Sequence, residues 1–398
     1  MIFLYDNIQT SVSHAPFTRS FTEVVAKIWP DKILLIFARK SHLQEAFRDI
    51  TNNPNVRLSQ ELLSEHGVNQ TIGDTLRFLM DCRRRACRRS LHVVFLTAFP
   101  SHIWACKLFR RWHDDFSCHL VLHGDVGWIA KPRARHPYHR LMDFTASLAH
   151  ANHANVRFVV LERHIAESIT AIIPAVAPYI DVVRHPCAPV DIDWQGHPLP
   201  GSRLRLGLLG IAGPAKGLDV FARLARQAAS PSAEFRLIGK MQPGWHNLDL
   251  GGISGPLPFS EQWLPRDVFE SELAALHYVV LPYNLNYYAF AASGVLLDAL
   301  AWRKPFIALR TPVLVELAGR FGDIGHICAN EQEMLVTVRE LQKGFDVQQY
   351  QTQRRNLDAA YHSRLSDAVA AESVQALRRD GTGTSLDMSL PPLAVWRR

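Results

Sequence analysis

Two segments of the sequence gather residues able to hold an anion. The first, LGLLGIAGPAKG at 206–217, places Gly210 and Gly213 in a turn after an apolar run. It ends on Lys216 and Gly217, where an amphipathic stretch begins. Glycines let a backbone approach a ligand, and the opening turn of a helix carries unpaired N–H groups. An ammonium at that mouth adds a charge-assisted contact worth about 1.5–3 kcal/mol. The pattern is neither a Walker A loop nor a G-x-G-x-x-G fingerprint. Taken alone, it equally describes a glycine turn before an ordinary helix.

The second segment, 281–308, opens with an apolar strand end and an aromatic loop running from Tyr283 to Phe290. Ser293 is a good N-cap for a short apolar helix beginning at Gly294. The Gly294 and Val295 N–H groups at that helix start suit a diphosphate, with Tyr283 beside them. Asp298 follows among Leu296, Leu297 and Leu300. A carboxylate on an apolar helix needs a partner, either ribose hydroxyls or a neighbouring Arg or Lys.

In the first half, HLVLHGDVGWIA at 119–130 reads as a strand ending at His123-Gly124-Asp125. Strand ends of this kind expose functional groups in α/β sheets. His123 is a candidate for touching a substrate. Asp125, two residues on, could orient that imidazole or take a proton from an acceptor hydroxyl; the alternative is a satisfied histidine at a turn. Asp6 and His14, in the polar stretch 6–17, rank below His123. Eleven of the 19 histidines fall in residues 1–150, so a single one there carries little weight.

Charge is divided unevenly. Residues 1–150 hold 20 Lys and Arg against 13 Asp and Glu, whereas the remaining 248 hold 24 of each, so the whole +7 belongs to the first part. The runs Arg83–Arg85, Arg88-Arg89, Arg110-Arg111 and 131–140 supply the excess. A basic helix face near Leu76, Phe78 and Leu79 suits anionic phospholipid, or is an ordinary solvated face. No helix-turn-helix, RRM or zinc pattern accompanies the charge, so no nucleic-acid partner is expected. The six cysteines contain no Cys-x-x-Cys pair, which favours reduced thiols and a cytoplasmic setting. The first residues lack a basic stretch ahead of an apolar one, so no secretory signal is expected, and no run is long enough to span a membrane.

These groups need a scaffold. Short apolar runs at 2–5, 33–37, 91–96, 119–122 and 156–161 alternate with helical spacing at 17–28, 41–51, 72–89 and 103–111. Strands that are apolar throughout and separated by helices imply a parallel sheet covered on both faces. Prolines and glycines crowd 185–202, and the alternation then resumes with strands at 204–209, 234–238, 278–281 and 305–309. The expected fold class is α/β, with two doubly wound Rossmann-like domains facing a cleft. The expected domains are 1–184, a linker at 185–202, and 203–345. One long helical segment at 346–379 crosses back toward the first domain, and a loose tail occupies 380–398.

The order strand–glycine turn–Lys-Gly–helix, then FRLIGK at 235–240, VVLPY at 279–283 and SGVLLDALAWRKPFIA at 293–308, resembles the C-terminal half of GT-B glycosyltransferases of the group 1 type. Bacterial exopolysaccharide and lipid-linked oligosaccharide enzymes are the nearest in look. The likeness runs over 203–330; the first half matches only in outline. It implies transfer of a sugar from a nucleotide diphosphate sugar to a glycan hydroxyl, the acceptor being lipid-linked at the cytoplasmic face of a membrane. No metal or other cofactor is implied. Lys216 would contact the diphosphate, Ser293 and Gly294 its distal phosphate, and Asp298 the ribose, while His123 would touch the donor sugar. Ala212 stands where the family usually has Arg. Phe290 and Asp298 stand where it commonly has two Glu. Two other readings stay open: an epimerase or hydrolase of sugar nucleotides on the same fold, and a non-catalytic sugar-nucleotide-binding module.

Overall fold

The structure is a computed structural model. It describes residues 1–9, 14–48, 53–59, 71–87, 90–130, 136, 138–139, 142–196, 199, 203–245, 248–256 and 260–378, with the backbone alone for Asp125. Arg88, Arg89, Lys131, Arg133, Arg135, Arg140 and the tail 380–398 therefore lie outside the described residues.

The first sheet has seven parallel strands in the order β3-β2-β1-β4-β5-β6-β7. They are β1 (Ile2–Asp6), β2 (Leu34–Ala38), β3 (Val56–Leu58), β4 (Leu91–Phe95), β5 (Phe116–Val121), β6 (Val156–Val160) and β7 (Ile180–Val182). Every residue of β1 and of β6 is buried, as two covered faces require. Alternate side chains feed two cores. Phe3, Tyr5, Phe95 and Phe158 face α3 (Ile72–Arg85), α4 (Pro100–Arg110), α5 (Phe144–Ala149) and α6 (Arg163–Ile172). Ile2, Leu4, Val94 and Val159 face α1 (Ala15–Ile28) and α2 (Lys40–Ala46).

The second sheet has six parallel strands in the order β10-β9-β8-β11-β12-β13. They are β8 (Leu204–Ala212), β9 (Ala233–Met241), β10 (Ile253–Ser254), β11 (Tyr278–Leu281), β12 (Phe306–Leu309) and β13 (Gly325–Cys328). Its helices are α7 (Leu218–Gln227), α8 (Arg266–Ala275), the single turn α9 (Leu285–Tyr288), α10 (Gly294–Ala301), α11 (Pro312–Phe321) and α12 (Glu331–Lys343). Both sheets are doubly wound. The chain leaves β8 in one direction and returns beside it with β11, just as it leaves β1 toward β2 and returns with β4.

The segment expected as one long helix is two, α13 (Val347–His362) and α14 (Ser366–Leu377). Arg364 sits in the break, and its buried guanidinium donates to both carboxylate oxygens of Glu162 at 2.6 and 3.2 Å. That pairing turns the chain. Tyr350, Leu357 and Tyr361 of α13 pack on the second domain, whereas Val369, Ala370 and Leu377 of α14 join the core of the first. Lys27 of α1 reaches Asp367 of α14 at 2.5 Å, and Arg378 Nε donates to the Ile28 carbonyl at 2.8 Å.

The basic face of α3 differs from its sequence expectation. Leu76, Phe78 and Leu79 all pack into the first core, because the stripe beside the arginines is the one facing the sheet. Arg83 pairs with Asp115 at 2.5 Å and Arg84 with Asp81 at 2.7 Å. Among the described residues, no helix is long and apolar enough to cross a membrane, and all six cysteines are free thiols.

Candidate functional site

The ends of β8 and β11 lie side by side where the strand order reverses, the position at which open α/β sheets bind ligands. Gly210 lies at the end of β8 with φ +82°, a left-handed conformation natural to glycine. A Cβ there would stand 2.4 Å from Lys216 Nζ and 3.1 Å from Val295 Cγ2. The glycine thus lets the lysine and the start of α10 close over one point. Gly213 is extended, and its carbonyl accepts the Lys216 and Leu218 N–H groups at 3.2 Å each, which tightens Pro214–Lys216 into a 3-10 turn. Gly217, at φ +68°, begins α7, and a Cβ there would collide with the Pro282 carbonyl oxygen at 1.8 Å. The turn is seated directly on the end of β11.

Lys216 is half-buried, and its Nζ donates to the Leu209 carbonyl at 2.8 Å. Loss of solvent lowers its pKa to about 8, against an opposing attraction from Asp298. Ser293 caps α10 by accepting the Leu296 N–H at 3.2 Å and bonds the Tyr283 hydroxyl at 2.6 Å. Tyr283 in turn stacks on Tyr288 with ring centroids 3.8 Å apart. The Gly294 and Val295 amides, in the first helical turn, have no intrahelical acceptor, and Gly294 is exposed. Asp298, one turn further, faces Arg266 at the start of α8, with Nη1 3.6 Å from Oδ1. Burial raises the Asp298 pKa; Arg266 first and Lys216 second oppose that rise. The Arg partner weighed for Asp298 is therefore present, and it is Arg266. Sequence reading missed that residue because nothing in local spacing links α8 to α10.

Across the gap, the first domain presents the ends of β1, β4, β5 and β6. His123 is buried; its ring lies edge-on to His14 at 4.4 Å and to His185 at 5.5 Å. Its Nδ1 has no hydrogen-bond partner, and desolvation holds its pKa well below the usual histidine value. It is a neutral imidazole in an aromatic niche with Phe17, not the exposed strand-end group expected. Asp125 begins a 3-10 helix, Asp125–Ala130, and its side chain lies outside the described residues. Asp6 is fully buried. It accepts the Ile8 and Gln9 N–H groups at 3.1 Å each and the Thr97 hydroxyl at 3.3 Å.

The aromatic loop is not a free loop. Asn284 caps α9 by accepting the Asn286 and Tyr287 N–H groups, and Phe290 is buried in the first domain's core with Val126 and Ile129. His164 Nε2 donates to the Tyr288 carbonyl at 3.1 Å, which adds a second tie across the gap. Among the described residues, no group of three or more His, Cys, Asp or Glu is arranged to hold a metal ion.

No protein-family model matches the chain, and no curated protein matches it in sequence. Solved structures do match in fold. HepE from Anabaena in complex with UDP superposes with a TM-score of 0.62 at 16% identity, covering 94% of this chain and 99% of that one. A glycosyltransferase from Rickettsia africae gives 0.64 at 12% identity, covering 95% and 99%. The E. coli trehalose-6-phosphate protein bound with UDP-2-fluoro glucose gives 0.64 at 8%, covering 95% and 99%. The chain has the GT-B fold. In GT-B terms, the crevice between β8 and β11 belongs to the second domain and opens toward the first. Lys216, Gly210, Val295 and Asp298 meet there, whereas Phe290 has left the crevice for the domain interface.

Proposed function

We propose that this protein is a glycosyltransferase that uses a nucleotide diphosphate sugar. The observation carrying the reading is the convergence of Gly210, Lys216, Val295 and Asp298 at the strand-order reversal of a GT-B second domain. Neighbours of the same fold hold UDP or UDP-glucose, which supports a donor of this class and a hexose as the transferred group.

Lys216 and the Gly294 and Val295 amides would receive the negative charge that develops on the departing diphosphate, with Ser293 and Tyr283 holding the helix start in place. Asp298 would accept the ribose hydroxyls. The acceptor oxygen attacks the anomeric carbon as the bond to phosphate breaks, and Asp125 would take the acceptor proton, with His123 against the donor sugar. With the charge met by these groups, the reaction needs no divalent cation. Closure of the two domains would keep water from hydrolysing the donor.

We infer a glycan acceptor, lipid-linked, in bacterial surface or exopolysaccharide synthesis. The basic excess of residues 1–150 supports peripheral contact with an anionic membrane at its cytoplasmic face. Phe290, which stands where the resembling family has an acid and is buried in the first domain's core, favours keeping the non-catalytic binding module as the second reading.

A thermal-shift panel of UDP, GDP, ADP, CMP and dTDP tests the donor site. A ligand at about 100 times its Kd stabilises by about 2.7 kcal/mol, well within detection. One nucleoside diphosphate should raise the Tm, and Lys216→Ala and Asp298→Ala should abolish both that rise and transfer. A melting curve unmoved by every nucleotide would remove the proposal.

A further inference from the structure

The Asp298 carboxylate meets the Arg266 guanidinium through Oδ1, with Nη1 at 3.6 Å. The partner, Arg266, is the first residue of α8. It is anchored from behind by Glu270 at 2.6 Å and lies over the Phe269 ring at 5.3 Å. Its guanidinium is held on its own helix and offers one edge to the crevice. We propose that Arg266 is a positioning residue for nucleotide binding: it keeps the Asp298 carboxylate charged and aimed so that the second oxygen remains for the ribose of a nucleoside diphosphate. The inference rests on the donor site described above and adds to it a residue from a third element.

The surroundings make such a partner necessary. Partial burial of the Asp298 carboxylate, whose side chain keeps 28% of its exposure, favours its neutral, proton-carrying form. The neutral acid accepts through an uncharged oxygen, so it holds the ribose hydroxyls more weakly than the carboxylate does. The charged and titratable groups facing Asp298 come from several elements. Arg266 and Glu270 lie on α8, and Lys216 precedes α7. The Cys187 thiol belongs to the connecting segment and the Tyr283 hydroxyl follows β11. On α13, Asp358 is taken by Arg303 at 2.8 Å. Only Arg266 and Lys216 among these favour the carboxylate, and Lys216 is the group a bound diphosphate would draw away. Arg266 is the cation that stays.

The test is calorimetric titration of the full chain with UDP, and with GDP and ADP as further probes, between pH 5.5 and 8. In Arg266→Gln, the acidic limb of binding should move to higher pH, so that binding is lost at the acid end of the range and little changed at pH 8. Both proteins see the same ionisation of the ligand, so the difference isolates the carboxylate. Arg266→Lys should restore the limb, and in an Asp298→Asn background Arg266→Gln should have no pH-dependent effect. An equal loss at every pH, or an unmoved limb in a wild-type protein that binds, would overturn the role of Arg266 alone. A wild-type protein that binds none of the three nucleotides would overturn the donor site, and this inference with it.

Discussion

The Lys216 ammonium lies across Gly210, donating to the carbonyl of Leu209 at 2.8 Å. The glycine and the lysine are therefore one device: the absent side chain of the first is the space occupied by the second. Gly210→Ala should displace Nζ and strain a residue at φ +82°, costing about 1–3 kcal/mol of stability. Denaturant unfolding reads the cost. Titration with the nucleotide found in the screen should show binding lost together with it, even at temperatures where the variant stays folded.

Lys216 also predicts opposite pH responses for stability and binding. Its folded pKa, about 8, lies below the unfolded lysine value, so the unfolded chain binds the proton more tightly. Between about pH 8 and 10.4, this group makes the fold more stable as pH rises. Nucleotide binding should weaken over the rise through pH 8, because the ammonium is being lost. Thermal melts with and without nucleotide across pH 7–10 separate the two trends, and Lys216→Met should remove both.

Asp125 is assigned chemistry without binding. Asp125→Asn should lower turnover by about 10²–10⁴-fold while leaving nucleotide affinity unchanged. Steady-state transfer assays paired with calorimetry check this. A proportional loss of affinity would move Asp125 out of the role of base.

The Glu162–Arg364 pair is buried at the seam between the first domain and the break from α13 to α14. Arg364→Ala leaves a buried carboxylate unpaired and should destabilise the protein by about 3–5 kcal/mol. The loss should be visible as a lower midpoint in urea, and as earlier proteolysis of α14 than of the second domain.

His185 contributes an acid limit to stability. Burial lowers its pKa to about 3, whereas the unfolded histidine titrates near 6.5. Below the unfolded value, the unfolded chain takes up a proton that the fold refuses. Stability is therefore lost as pH falls from about 6.5 toward 3, at about 1.4 kcal/mol per pH unit for this group. His123 adds a loss of the same sign. Unfolding free energies from pH 7 to 4.5 should show the slope, and His185→Gln should flatten it.

Sequence alone carried the short-range features. The two parallel sheets follow from apolar runs of strand length separated by amphipathic ones, because a strand covered on both faces must be apolar throughout. The glycine turn before Lys216 and the Ser293 cap were readable for a similar reason, since turns and caps are decided within a few residues. Edge strands such as β3 and β10, at three and two residues, are too short to carry a period. What tertiary structure decided is every pairing between distant segments. Asp298 had a partner only once α8 and α10 were packed together. Phe290 became a domain anchor because α9 delivers it to Val126 and Ile129. His123 kept only 8% of its exposure when α1 and the connecting segment packed beside it. The helical pattern from 348 onward gave no sign of its break, because its cause, Glu162, lies 202 residues away from Arg364. Periodicity reports which face of an element is apolar. Only the topology brings together the groups that face each other across it.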